Sequence, residues 1–205
     1  MAPAGSDHSY LSRFTGTPIV FVDRPPAGFG AYTVVSTNVA GAAGAVRHLI
    51  AHGHRRIAFL GDYQRIATAR ERFLGYLQAL GQRAGPVAHD LRGEAAAERA
   101  TLTLMRRAEA PTALFTSQNL ITIGAVRSLR RLGLHRSVAL VGFDDFPLAD
   151  LLDPPVTVVA QHPARMGRAA ARALFERIDG HTGPPREIRV ATTLIPRGSG
   201  EIARG

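Results

Sequence analysis

The chain has 205 residues, of which 45% are hydrophobic, and its formal net charge at pH 7 is +9. It contains no cysteine, which excludes disulfides, thiolate nucleophiles and thiolate metal sites. All 25 basic residues are arginine, so the chain has neither the lysine of a P-loop nor a lysine that could form a Schiff base.

The distribution of apolar and basic residues argues against membrane and nucleic-acid contact. No apolar run approaches the roughly 18 residues of a membrane span, and the first residues lack the basic start and apolar core of a signal peptide. We therefore expect a cytoplasmic protein that makes no membrane contact. The arginines are scattered rather than gathered in runs of about five to eight, which favours a solvated basic surface over a nucleic-acid face.

Short apolar runs alternate with amphipathic segments along the whole chain. The apolar runs are rich in β-branched residues, as in buried strands, and the amphipathic segments repeat apolar residues three and four positions apart, as in helices. Glycines follow most of the predicted helices, where they favour termination. The predicted strands are residues 18–23, 32–36, 57–60, 86–89, 112–116, 138–143, 156–160 and 188–194, and the predicted helices are residues 39–50, 68–80, 94–108, 119–132 and 163–178.

This alternation is typical of βαβ units, which form a mostly parallel sheet. In such sheets ligands bind beyond the carboxyl ends of the strands. Polar residues follow four of the predicted strands, namely Asp23, Asp62, the segment 117–119, and Asp144 with Asp145. The fold class is therefore α/β, and these positions are the first candidates for a binding site.

Two motifs that could indicate other chemistry are incomplete. His48 and His52 lie four apart, as in a zinc-binding helix, but position 49 is leucine where a metalloprotease has glutamate. Gly28 and Gly30 follow a proline pair rather than opening a helix, so they do not form a dinucleotide-binding fingerprint. Surface or capping histidines and a flexible loop are the favoured interpretations, and we predict neither a metal ion nor another cofactor.

The adjacent carboxylates of Asp144 and Asp145 also allow two interpretations. In an extended chain they point in opposite directions, so a paired-carboxylate reaction centre would need a sharp bend. An ionised carboxylate can instead accept hydrogen bonds from ligand hydroxyls or from an arginine. Ligand binding is favoured for Asp144. For Asp145, ligand binding and capping of the loop at residues 146–150 remain equal alternatives.

Five segments, in the same order, resemble the lactose-repressor (LacI) family of bacterial transcription regulators. Each is weak alone, but together they extend from about Pro18 to Ser199, which makes the resemblance specific. The segments are residues 48–60 (HLIAHGHRRIAFL), 68–76 (TARERFLGY), 141–145 (VGFDD), 156–167 (VTVVAQHPARMG) and 194–199 (LIPRGS).

The resemblance implies a fold similar to periplasmic sugar-binding proteins, with a small effector in the cleft between two lobes. Carried over by position, Arg72, Asp144 and Gln161 would contact the effector. Arg72 suits this role because its planar guanidinium can make paired hydrogen bonds to a diol or carboxylate, although an Arg–Glu pair on the helix surface is an equal alternative. The further candidates are Gln118, Asn119, Phe143 and Asp23.

Two departures from the family pattern bear on the effector. Many relatives have Asn-Asp where this chain has Gln-Asn at 118–119, and Asp-Asn where it has Thr-Asn at 37–38. Each change removes a carboxylate from the cleft, which favours an anionic effector more than the family pattern does. A neutral sugar remains an alternative. Phe143 or Tyr63 could present an apolar face to a sugar ring.

The two predicted lobes are unequal in size. The division is residues 1–36 and 159–180 for a partial N-terminal lobe, residues 37–158 and 181–199 for a complete C-terminal lobe, and residues 200–205 for a tail. The strand at Ile19, the return segment near Val158 and the helix at Met166 would build the partial lobe, whereas Val190 would lie in the complete one. Nothing resembles the helix-turn-helix domain of the family, so we expect the C-terminal portion of a longer regulator.

The favoured function is effector sensing in a transcription regulator, without catalysis, and with a sugar-like or anionic metabolite as the ligand. The family implies a homodimer, and contact with operator DNA only through the missing helix-turn-helix. A solute-binding protein of the same fold is the alternative, weakened by the missing export signal. An enzyme is a third hypothesis, for which the sequence offers no nucleophile, metal cluster or phosphate loop.

Overall fold

The computed structural model describes residues 8–14, 16–81 and 85–204, and it has the predicted α/β architecture. The strands are β1 Val20–Val22, β2 Tyr32–Ser36, β3 Ile57–Leu60, β4 Val87–Ala88, β5 Ala113–Thr116, β6 Ala139–Phe143, β7 Thr157–Ala160, β8 Glu187–Val190 and β9 Thr193–Ile195. The helices are α1 Asn38–Ala51, α2 Ala67–Leu80, α3 Gly93–Met105, α4 Asn119–Arg131 and α5 Pro163–Ile178, and a short 3₁₀ helix lies at Ser9–Arg13. The predicted alternation is confirmed, although the last predicted strand is divided into β8 and β9.

The strands form two sheets. The larger has six strands in the order β4-β3-β5-β6-β7-β9, and all of its pairs are parallel except β7 with β9. The smaller has three parallel strands in the order β1-β2-β8. The prediction of mostly parallel sheets is therefore confirmed.

Val158 and Val190 each lie in a different sheet from the one that the sequence predicts. Val158 is in the larger sheet, where it pairs with Gly142 and Ile195. Val190 is in the smaller sheet, where it pairs with Ser36. Burial matches their positions within the sheets: β7 is buried throughout, as suits a strand with neighbours on both sides, whereas β8 alternates between exposed and half-buried residues, as suits an edge. The residue-numbered division into lobes otherwise stays a prediction.

Helices cover both faces of the larger sheet and enclose its apolar strands. On one face α1 and α2 enclose a cluster that includes Phe59, Phe115 and Tyr76. On the other face α3 and α4 enclose a second cluster, which includes Leu114 of β5 and Ile121 of α4. Strands of four or five residues that are buried on both sides need such cover, because neither of their faces is polar enough for water.

A glycine permits the close approach of each helix pair. A Cβ atom at Gly75 in α2 would lie 2.3 Å from the carbonyl oxygen of Val39 in α1. A Cβ atom at Gly124 in α4 would likewise lie 2.3 Å from the carbonyl oxygen of Glu94 in α3. Both helix pairs therefore pack with backbone against backbone at these points.

Within the described residues the chain crosses between the sheets three times, at residues 36–38, 160–163 and 190–193. In the smaller sheet β2 is central and fully buried, and α5 packs against it through Met166 and Ala173. None of the helices among the described residues is both long enough and apolar enough to cross a bilayer.

The segment predicted as a tail is packed onto the larger lobe as far as residue 204, and residue 205 lies outside the described range. The buried ring of His54 donates a hydrogen bond from Nε2 to the carbonyl oxygen of Ile202 at 2.8 Å. Burial lowers the pKa of His54, so the neutral ring is favoured. The carboxylate of Glu201 accepts hydrogen bonds from Thr157 and His48. These contacts hold the segment against α1 and β7.

Candidate functional site

A polar cleft of about 570 Å³, open to solvent, lies where the carboxyl ends of the strands of both sheets meet. The larger lobe supplies Asp62 and Ser117 to its lining, and the loop after β1 supplies Arg24. Six of the seven residues predicted to bind a ligand also line it: Asp23, Arg72, Gln118, Asn119, Asp144 and Gln161. Residues that are far apart in the chain therefore converge at one place.

Arg72 lines the cleft and contacts several of the groups around it. Its side chain is buried, and its Nε donates to Oδ1 of Asn38 at 2.9 Å. Its Nη1 donates to the carbonyl oxygen of Ser117 at 2.7 Å and to Oδ2 of Asp144 at 3.1 Å. The guanidinium carbon lies 3.9 Å from the ring centroid of Phe143. Among the described residues Nη2 has no hydrogen-bond acceptor, and Arg72 is one of the residues that line the cleft.

The alternative of an Arg–Glu pair on a helix surface does not describe Arg72. Its side chain is only 5% exposed and pairs with Asp144 rather than with a glutamate of its own helix. The neighbouring Glu71 carboxylate instead accepts a hydrogen bond from Asn38. Arg72 is therefore part of the cleft.

Gln161 links Asp144 of the larger lobe to Ser36 of the smaller sheet. Asp144 follows β6, and its Oδ1 accepts a hydrogen bond from Nε2 of Gln161 at 2.6 Å. Oε1 of Gln161 accepts in turn from the hydroxyl of Ser36, the last residue of β2. A carboxylate of the larger lobe is thereby linked to a strand of the smaller sheet.

Asp23 brings a second carboxylate to the cleft from the end of β1. Burial raises its pKa, an effect that the guanidinium of Arg72 partly opposes and the carboxylate of Asp144 reinforces. Nε of Arg24 lies 3.8 Å from Oδ2 of Asp23. The lining of the cleft therefore contains both carboxylates and guanidinium groups.

Amide and carboxylate groups form the wall at the ends of β3 and β5. Oδ2 of Asp62 accepts a hydrogen bond from Nε2 of Gln118 at 3.0 Å. Asn119 is the first residue of α4, and its Oδ1 accepts from the backbone N–H of Leu120. These groups can exchange hydrogen bonds with a polar ligand, since Gln118 and Asn119 each retain accessible amide atoms.

The prediction for the aromatic rings needs correction. Phe143 is fully buried and lies behind the guanidinium of Arg72, so its ring supports that group and does not line the cleft. The ring of Tyr63 lies against Arg65, with the guanidinium carbon 4.2 Å from the ring centroid. Phe143 is the last residue of β6, and its ring and the carboxylate of Asp144 both contact the guanidinium of Arg72.

Asp145 takes a structural role. Its two carboxylate oxygens accept hydrogen bonds from Nη1 and Nη2 of Arg197, each at 2.7 Å. Oδ1 also accepts from the backbone N–H of Phe146 at 3.0 Å, which caps the following loop. Hydrogen bonds from Arg197 lower the pKa of Asp145. Asp144 and Asp145 therefore point to different partners, and only Asp144 lines the cleft.

The two histidines of α1 have protein partners. Nε2 of His48 pairs with the carboxylate of Glu201. Nδ1 of His52 lies 2.9 Å from the carbonyl oxygen of His48. No cluster of three or more histidine and acidic side chains that could hold a metal ion occurs in the ranges that the structure describes.

Sequence reasoning missed Arg24, Ile66, Thr68 and Ala69 in the lining of the cleft, and the role of Asn38 behind it. Arg24 lines the cleft directly beside Asp23, and only its position after a strand end could have indicated it. Asn38 lies fully buried behind Arg72; the family resemblance pointed to positions 37–38, but only for the aspartate that Thr37 replaces.

Comparison with known proteins identifies the family. The family described as periplasmic binding protein-like domain matches residues 46–200. The HTH-type transcriptional regulator MalR of Streptomyces coelicolor is 31% identical over 204 residues, which cover 94% of this chain and 59% of MalR. The chain thus spans a little under three fifths of the length of this relative.

Two solved structures extend the likeness to the fold. A regulatory protein of the LacI family from Chloroflexus aggregans is 29% identical, with a TM-score of 0.84 over 93% of this chain and 71% of that chain. The transcriptional regulator CelR, solved as a complex with cellobiose, is 34% identical, with a TM-score of 0.80 over 90% of this chain and 59% of that chain. The chain therefore belongs to the periplasmic binding protein-like domain family, and within it to the effector-binding region of the LacI-type transcriptional regulators.

Proposed function

We propose that this chain is the effector-sensing part of a bacterial transcription regulator and that it binds a sugar between its two lobes. One observation carries the proposal. Asp23, from the end of a strand in the smaller sheet, and Arg72 and Asp144, from the larger lobe, line a single cleft that is open to solvent. Such a set of convergent polar groups in an open cleft is typical of a small-molecule site.

The charges of the cleft favour a neutral sugar over an anionic metabolite. Three carboxylates, those of Asp23, Asp62 and Asp144, face two guanidinium groups, those of Arg24 and Arg72. Sugar hydroxyls suit this mixture because they donate to carboxylates and accept from guanidinium groups. An anion would lie against the carboxylates without a donor to offer them. The cellobiose complex of CelR, which is 34% identical, supports the same ligand class.

Binding would act by a shift between lobe arrangements. A ligand changes such an equilibrium only by the difference between its affinities for the two states. Because Asp23 and Asp144 come from different sheets, a sugar that contacts both favours the arrangement in which they face each other. We expect this arrangement to control the regulator in the full-length protein.

The partners of the full-length protein follow from the family. We propose a homodimer in the cytoplasm that contacts operator DNA through a helix-turn-helix outside the described residues. Leu148 and Leu151, which are 64% and 74% exposed, are candidates for apolar contact between the two copies. The chain would bind its ligand without chemical turnover, since none of the described cleft groups is arranged as a nucleophile with a base.

Thermal unfolding with added sugars tests the function. The panel is cellobiose, D-ribose, a hexose phosphate and a nucleoside, and the reaction mixtures are analysed for new products. We expect at least one neutral sugar to raise the melting temperature in a concentration-dependent manner, without product. Stabilisation by the phosphate alone would replace the sugar with an anionic ligand, and formation of product would indicate an enzyme.

A further inference from the structure

We propose that Asn38 is a positioning residue for the ligand: it holds the guanidinium of Arg72 in the orientation that the cleft uses. The proposal rests on the proposed function, since it concerns the same cleft, but it adds a residue that does not line it. Asn38 is the first residue of α1, directly after the first crossing between the sheets, and its side chain is fully buried.

The side chain of Asn38 has three hydrogen-bond partners among the described residues. Its Oδ1 accepts from Nε of Arg72 at 2.9 Å. Its Nδ2 donates to the carbonyl oxygen of Ser36 at 3.2 Å and to Oε2 of Glu71 at 2.9 Å. The side chain therefore connects β2, the crossing and two consecutive residues of α2.

The chemistry of the partners explains the residue type. An arginine can only donate, so the atom that faces Arg72 must be an acceptor. A carbonyl oxygen and an ionised carboxylate can only accept, so the atom that faces Ser36 and Glu71 must be a donor. A carboxamide carries both functions on one short planar group. Aspartate lacks the donors, and leucine lacks both.

The contact with Asn38 completes the restraint on Arg72. Nη1 is held by Ser117 and Asp144, and the ring of Phe143 lies against the guanidinium plane. With Nε held as well, the guanidinium is restrained at two of its nitrogens and on one face. A guanidinium fixed before binding loses less conformational entropy when a ligand arrives. Without Asn38, the Nε–H donor of Arg72 would also be left buried and unpaired.

Glu71 holds Asn38, whereas the contact beyond Glu71 is weak. Oε1 of Glu71 lies 3.7 Å from Nη2 of Arg189 in β8, and the side chain of Arg189 is 45% exposed. Half-exposed pairs at such distances contribute little. Arg189 is therefore a control at the far end of the same chain of contacts.

Three variants test the proposal: Asn38→Leu, Glu71→Ala and, as the control, Arg189→Gln. The first measurement follows hydrogen exchange of the Arg72 Nε–H by ¹⁵N NMR without ligand. We expect slow exchange in the wild type and the control, and faster exchange in the two test variants. The second measurement is the affinity for cellobiose and D-ribose by calorimetry. We expect a loss of about tenfold or more for Asn38→Leu, a smaller loss for Glu71→Ala, and a change within about twofold for Arg189→Gln.

The outcomes separate the positioning role from the proposed function. Wild-type exchange of the Nε–H in both test variants, or unchanged sugar affinity in them, overturns the role of Asn38. If Asn38→Leu does not fold, the comparison of Glu71→Ala with Arg189→Gln decides. If the wild type binds neither sugar, the choice of ligand class is wrong, and the exchange measurement still decides whether Asn38 holds Arg72.

Discussion

Asp23 and Asp144 occupy equivalent positions in the two sheets. Each directly follows the last residue of a parallel strand, and each has a left-handed backbone with φ of 71°. The backbone N–H of Asp23 donates to the carbonyl oxygen of Val34 at 2.8 Å, and that of Asp144 donates to Val159 at 2.9 Å. This conformation is uncommon outside glycine, but aspartate tolerates it. It turns the backbone away from the sheet at both positions and leaves both carboxylates in the lining of the cleft.

Replacement of Asp144 should remove both ligand binding and part of the stability. Asp144→Ala leaves the buried Arg72 without its counter-ion, and because the Asp144 side chain is 22% exposed we expect a loss of about 2–3 kcal/mol, below the usual cost for a fully buried pair. The sugar-dependent rise in melting temperature should also disappear. Denaturant unfolding and thermal shift measure the two effects. An Asp144→Ala variant that still responds to sugar would remove Asp144 from the site.

The neighbouring Asp145 is the matched control. Asp145→Ala breaks a partly exposed ion pair with Arg197, so we expect a loss of at most about 1 kcal/mol and an unchanged sugar response. The lowered pKa of Asp145 means that its contribution is present at neutral pH and is lost as the pH falls through the folded-state pKa. The difference in stability between wild type and variant should therefore shrink in acid. A lost sugar response would place Asp145 in the site after all.

Asp23 should make the protein less stable as the pH rises. Because burial raises its pKa above 3.8, the folded state binds more protons than the unfolded state in the window that begins near that value. The stability contributed by this group is therefore present in acid and is lost as the pH rises through the folded-state pKa. Asp23→Asn should remove that slope while it weakens sugar binding. Urea unfolding of both proteins between pH 3 and pH 7 measures the difference, which must grow in favour of the variant as the pH rises.

The close packing of α1 against α2 predicts that two glycine-to-alanine substitutions have different effects on stability. Gly75→Ala places a Cβ 2.3 Å from a backbone oxygen, and we expect a loss of about 1–3 kcal/mol as the helices are forced apart. Gly44→Ala, in α1, meets nothing within 4 Å, so it should be neutral or stabilise by up to about 1 kcal/mol. Equal melting temperatures for the two variants would contradict this account of the packing.

The sequence predicted the elements well because their signals are local. Asp144, Arg72 and Gln161 were found from strand ends and from the family resemblance, and the structure brings them together. The sheet that contains Val158 or Val190 could not be predicted, because strand pairing is non-local and a short apolar run does not specify its neighbours. Phe143 was misplaced for a related reason, since a strand end indicates position but not the side to which a ring points.

The roles of two other residues in the cleft region could not be predicted. Arg24 is one of 25 arginines scattered along the chain, so its type carries no information, and only the fold places it beside Asp23. Asn38 contributes through three hydrogen bonds to residues up to 34 positions away. Such contacts exist only after the helices have packed, which is why a pattern of polar and apolar residues did not indicate them.

The three crossings of the chain make neither lobe a continuous stretch of sequence. The smaller sheet takes β1 and β2 from before the larger sheet and β8 from after most of it, while β9 returns to the larger one. A deletion from either terminus therefore removes strands from both lobes before either lobe is lost completely. The two lobes should accordingly melt as a single cooperative unit, and an isolated half should not be obtainable by trimming the gene from one side.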